Sequence, residues 1–99
     1  MAYQIEWSPR AMEDVKAIAM HIGLDSPAHA VIVAKKMMAA IRQAGQLPYA
    51  GRIVPEFGDS ELREKFVYSY RIIYRVQRES ILIVAVMHGK RLLELELQP

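Results

Sequence analysis

The segment YRIIYRVQRESILIVAVMH, residues 70–88, decides the fold. Two runs rich in β-branched and aromatic residues flank the polar stretch QRES, the pattern of a hairpin with strands at 70–77 and 81–88. Side chains alternate along a strand. Tyr70, Ile72, Tyr74 and Val76 therefore share one face, and Arg71, Ile73 and Arg75 share the other. The first set belongs against a core, which puts both arginines on the open side of the sheet. An even-length loop centred on Arg78–Glu79 pairs Tyr74 with Ile83 and Arg71 with Val86; a three-residue loop reverses this parity. In the even register Leu82, Val84, Val86 and His88 join the arginine face. His88 then lies diagonal to Arg71, within reach of a long side chain.

Working outward from the hairpin, Gly89 ends the second strand, and Lys90 and Arg91 form a basic corner. Arg71, Arg75, His88 and Arg91 thus surround an apolar floor, a candidate interaction surface. The competing reading pairs the arginines with Glu56, Glu61, Glu64 or Glu79 on a solvated face. Upstream, 62–67 (LREKFV) reads as another strand, and 47–61 as an irregular connection with a short strand near Arg52–Val54.

The N-terminal half is helical. YQIEW (3–7) alternates as a half-buried strand, and Ser8-Pro9 opens a helix whose stripe is Ala11, Met12, Val15, Ile18, Ala19 and Ile22, with Gly23 as terminator. Ser26-Pro27 opens a second helix, with Asp25 as a competing cap. Its stripe is Ala30, Ala34, Met37, Met38 and Ile41, and Gly45 ends it. About three connecting residues predict an antiparallel helix hairpin. The predicted fold is α+β: an N-terminal strand and an antiparallel helix hairpin packed on one face of a curved, mainly antiparallel sheet of three to five strands. The tail LLELELQP (92–99) alternates Leu and Glu, a pattern open to strand, docking segment or frayed helix turn.

Composition narrows the function. The 99 residues make one domain, 1–99, and 53% are apolar, which excludes disorder. No run reaches the ~18 apolar residues of a membrane span, no secretory signal is visible, and there are no cysteines. A cytoplasmic protein without disulfides, metal or cofactor is the expectation. The Met37–Met38 pair has the helical period of core packing. The net charge is only +2, yet eight of the 13 Lys and Arg lie beyond residue 50, beside seven acids.

The order and spacing of IEWSPRAMEDVKAI, GRIVPEFGDSELRE and YRIIYRV…ILIVAVMHGKR resemble the RelE/ParE superfamily of bacterial type II toxins. The resemblance covers nearly the whole chain. It implies a growth-inhibiting toxin neutralised by a cognate antitoxin in a hetero-oligomer. RelE-like members are ribosome-dependent endoribonucleases of messenger RNA. For that branch the catalytic candidates here are Arg71, His88 and Arg91. The lysine pair of those enzymes falls at Leu62 and Glu64, with Arg63 and Lys65 one residue off, and their C-terminal tyrosine is missing. ParE-like members lack that set and poison DNA gyrase; GRIVPE, YRIIYRV and HGKR look more like this branch. Partner-binding candidates are Arg71, Arg75, His88, Lys90 and Arg91, with gyrase favoured over the ribosome as target.

Overall fold

The structure, a computed structural model, describes residues 2–89. Lys90, Arg91 and the alternating tail, and any role expected of them, lie outside the described residues. The elements run β1 (Gln4–Trp7), α1 (Pro9–Asp25), α2 (Pro27–Gln46), a 3-10 turn (Pro48–Ala50), β2 (Arg52–Ile53), β3 (Leu62–Val67), β4 (Tyr70–Val76) and β5 (Ser80–His88). They form a five-stranded mixed sheet in the order β1-β5-β4-β3-β2, antiparallel except for β1 alongside β5. The helix hairpin packs on one face, as the sequence predicts, except that Met12, next to the buried Ala11 in the expected stripe, turns outward and is 49% exposed.

The helix boundaries differ from those expected at both glycines. α1 runs through Gly23 to Asp25, and the single residue Ser26 serves both helices. Its amide donates to Ile22 O at 3.0 Å, and its Oγ accepts from the His29 amide at 3.1 Å. Pro27 disfavours a helical residue before it, and Ser26 is extended (φ −154°, ψ 101°). The turn therefore falls at Ser26, and Asp25 stays helical. Gly45 likewise lies inside α2. Its carbonyl accepts from the Tyr3 amide at 2.7 Å, and a Cβ there would meet Ile5 Cγ1 and Tyr3 O at 3.3 Å. Its smallness lets β1 pack closely against the helix.

Between helices and sheet lies the main core: Ile72, Tyr74, Val76, Ile81, Ile83 and Val86 from β4 and β5 against Ala11, Val33, Met37, Ile41 and Ala44. The Tyr74 hydroxyl donates to Pro48 O at 2.6 Å, which satisfies a buried polar group. It also fills the space beside Gly51, where any Cβ would collide with it. A second cluster, Val54, Leu62, Ile73, Ala85 and Met87, forms on the opposite face.

The strand parity near the hairpin loop is as expected: Tyr74 pairs with Ile83 and Arg75 with Leu82. Beyond it a β-bulge intervenes. Ile73 pairs with Ala85 and Arg71 with Met87, which leaves Val84 as the extra residue. The expected pairing of Arg71 with Val86 is thus displaced by one residue. Val86 and His88 turn to the helix side, while Ala85 and Met87 take the arginine side. The bulge sits where β1 gives way to α1. Ser8 N donates to Ile83 O at 3.0 Å, and Ser8 Oγ donates to Val84 O at 2.9 Å while accepting from the Ala11 amide at 3.0 Å. The next amide along this edge, Val86 N, donates to Asp14 Oδ2 at 2.9 Å. The side chains of Ser8, the cap of α1, and Asp14 within it thereby replace the neighbouring strand that β1 no longer supplies.

Ser8 is consequently both helix cap and bulge anchor. Ser8→Ala should lower unfolding free energy by about 1–3 kcal/mol, the sum expected for a lost cap and a lost hydrogen bond. Urea denaturation checks this; an unchanged midpoint would show that the bulge stands without Ser8.

Candidate functional site

Arg71 was expected on an exposed face beside His88. In the structure it is 3% exposed, and the two residues project from opposite faces of the sheet. The bulge separates them. Arg71 lies instead between two carboxylates. Its Nε donates to Glu64 Oε1 at 2.7 Å, and Nη1 and Nη2 form a fork to Glu56 Oε2 and Oε1 at 2.6 and 2.8 Å. The other oxygen of Glu64 accepts from Arg52 Nε at 2.7 Å and from Arg52 Nη2. Arg52 also lies over the Phe66 ring, 5.3 Å from its centroid. The chain Arg52–Glu64–Arg71–Glu56 has two charges of each sign and links β2, β3, β4 and the β2–β3 connection.

Local structure explains how these groups meet. Alternation along β3 puts Leu62, Glu64 and Phe66 on one face, and Phe66 pairs with Arg71 across the ladder. Glu64 pairs with Ile73, and so stands diagonal to Arg71 on that face. After β2 the chain turns back at residues 54–58, where Phe57 N and Gly58 N donate to Val54 O at 3.2 and 3.0 Å. Gly58 has φ +65°, the left-handed region open to glycine at no steric cost. This turn places Glu56 over Arg71 and buries Val54 on Leu62 and Ile73. The reading of the arginines as ion-paired residues therefore holds for Glu56 and Glu64, but the pair to Arg71 is buried and not on a solvated face.

Ion pairing sets the electrostatics. Hydrogen bonds from Arg71 hold the Glu56 carboxyl below the usual carboxylate range, against the opposing effect of its burial. The same contacts, with Glu64, push the Arg71 guanidinium still higher than its ordinary value. Arg75 is nearer the surface, with 43% of its side chain exposed, and pairs with Asp59 at 3.1 Å. Asp59 is held low first by the Glu61 amide and then by Arg75. Phe57, Asp59, Leu62, Arg75 and Val84 line a shallow cleft here, so Arg75 is the accessible arginine of the pair.

On the helix face His88 stands opposite Tyr70, ring centroids 6.0 Å apart in an edge-to-face arrangement. Tyr70 and His88 line a separate cleft there, together with Asp14 and His21 of α1. Among the described residues no group of three or more His, Asp and Glu is placed to hold a metal ion.

The family model for the ParE toxin of the type II toxin–antitoxin system parDE matches residues 5–93. The chain belongs to the ParE toxin family. Among solved structures it is similar to one titled as the chromosomal ParDE toxin–antitoxin system from P. aeruginosa, with TM-score 0.74 and 18% identity over 90% of this chain and 98% of that one. At that identity the likeness shows the fold. No curated protein matches. The two positions at which RelE-like enzymes carry lysines are occupied in this ParE-family chain by Leu62 and Glu64, both buried.

The bulge leaves no mark in ILIVAVM, where every residue suits either face. The sequence offers Glu64 as a partner for the arginines but on a solvated face; its burial is signalled by its place as a lone acid at the parity of Leu62 and Phe66.

The Glu56–Arg71 contact predicts a pH dependence. A carboxyl whose pKa is lower folded than unfolded binds fewer protons in the folded state as pH falls. Its stabilisation is complete above the unfolded value of about 4.3 and is lost as pH falls through the lower folded value. Glu56→Gln should therefore be less stable than the parent at neutral pH and lose less stability on acidification. Urea midpoints at about pH 7 and pH 3 test this; parallel losses in both proteins would exclude Glu56 as a source of acid sensitivity.

Proposed function

We propose that the chain is a growth-inhibiting toxin that a cognate antitoxin neutralises, and that it acts by poisoning DNA gyrase. Family membership supports the toxin role, and the ParDE title of the structural neighbour supports an antitoxin partner. The observation that favours gyrase over ribosome-dependent RNA cleavage is the state of Arg71. It matches the position of a catalytic arginine in RelE-like nucleases, but here it is sealed by two carboxylates of its own chain. A nuclease needs cations free to steady a phosphate and a group to move the 2′-hydroxyl proton. With Arg71 and His88 on opposite faces and acid or leucine at the lysine positions, the described residues do not bring such groups together. Lys90 and Arg91 remain partner-binding candidates on sequence grounds. Of Arg71 and Arg75, Arg75 is the one that a partner can reach. Gyrase and messenger RNA both place the site of action in the cytoplasm, and no described helix is long and apolar enough to cross a membrane.

Induction in bacteria separates the two mechanisms. Gyrase poisoning predicts DNA breaks and a DNA-damage response with transcripts intact. Rapid appearance of messenger-RNA ends inside coding regions, without DNA breaks, would overturn this reading in favour of an endoribonuclease. Arg71→Ala is a poor probe of either, because it removes one member of a buried ion network and so tests folding first.

A further inference from the structure

The two helices carry their charges differently. On α1, Arg10 and Lys16 meet acids of the same helix: Arg10 Nε lies 3.3 Å from Asp14 Oδ2, and Lys16 Nζ 3.8 Å from Glu13 Oε1. α2 has no acid to offer. Residues 26–55 contain neither Asp nor Glu, although the chain has 11 of them. Val33, Met37, Ile41 and Ala44 are buried on the inner side of α2. By the helical period Lys35, Ala39, Arg42 and Gln46 form the opposite stripe, and all four are exposed.

Two more cations flank this stripe. Lys36 follows Lys35 and is exposed, its ammonium 5.8 Å from the centre of the Tyr68 ring. Lys65 reaches across from β3 and donates to Gln43 Oε1 at 3.2 Å. Among the described residues no carboxylate lies within ion-pairing distance of Lys35, Lys36, Arg42 or Lys65. These positive charges share one side of a chain whose net charge is only +2. Lys35 and Arg42 stand about 10 Å apart along the helix axis. Like charges gathered in this way repel, and a polyanion laid along them relieves the repulsion.

We propose that this outer face of α2 binds the phosphate backbone of duplex DNA, without reading its sequence. Lys, Arg and Gln side chains donate to phosphate oxygens, and each phosphate neutralised releases counterions. A protein partner suits the stripe poorly. Protein–protein interfaces are depleted in lysine and anchored by large aromatic residues, whereas the apolar member of this stripe is Ala39. Single strands suit it poorly as well, because they need rings on which bases stack, and the stripe carries none. Under the gyrase reading this contact holds the toxin against the DNA that the enzyme cuts. The binding itself needs no gyrase, so either can fail without the other.

The test titrates the full chain into fluorescently labelled DNA duplexes of two unrelated sequences, at about 50 mM salt and above, and reads anisotropy. Both duplexes should bind alike, and log affinity should fall against log salt with a slope of about −3 to −4. The double variant Lys35→Glu, Arg42→Glu should weaken binding about tenfold or more and flatten the slope by about 2. Lys35→Gln, Arg42→Gln should weaken it in the same direction but less. Lys16→Glu with Arg78→Glu makes the same change of net charge elsewhere on the surface and should keep most of the affinity. All three should keep the parent's urea midpoint, because every substituted side chain is exposed. The proposal is overturned if neither duplex binds at the lowest salt, or if the two glutamate double variants lose affinity equally. It is also overturned if polyglutamate, a single-stranded oligonucleotide or duplex RNA of the same length displaces the labelled DNA more readily than unlabelled duplex DNA does.

Discussion

Arg71 carries a positive charge into a place that water hardly reaches, and the arginine side of the sheet is built to keep it there. A lone buried guanidinium would cost several kcal/mol. Glu64 meets it from the neighbouring strand and Glu56 from the connection above, so its donors point at carboxylate oxygens in forked, charge-assisted geometry. Such a network adds little over well-packed apolar residues, because desolvation offsets most of the attraction. Its importance lies in what it ties together. The Glu56 fork holds residues 54–58 against β4, and that closure buries Val54 on Leu62 and Ile73. Ion pair and second core depend on each other.

This closure decides which surfaces remain for function. The sheet face that strand alternation offers as an open, arginine-lined platform is sealed around Arg71 and accessible around Arg75. The β5 edge beyond β1 is blunted by Ser8 and Asp14, a way of protecting edge hydrogen-bonding groups from unwanted pairing. Among the described residues the β3 edge beyond β2 has no such guard, and exposed aromatic rings flank it.

Much of this was legible in the chain. The element order, the helix hairpin, the face of Tyr70, Ile72 and Tyr74, and the pairing of Tyr74 with Ile83 all follow from periodicity and turn chemistry. These are signals carried by neighbouring residues. The bulge depends on Ser8 meeting Val84 across 76 positions of sequence, and no local pattern reports it. One inserted residue then moved His88 to the other face, because the strand period is two. The burial of Arg71 had a similar origin. Alternation gave its side of the sheet correctly, but the cover came from a proline- and glycine-containing connection whose path no periodicity describes.

Glu56 and Arg71 act as one unit. A double-mutant cycle with Glu56→Gln, Arg71→Met and the combined variant, read by urea unfolding at neutral pH, measures it directly. A coupling free energy of about 1–3 kcal/mol is expected for charged groups in direct contact within one network. Additivity of the two substitutions to within about 0.5 kcal/mol would contradict it.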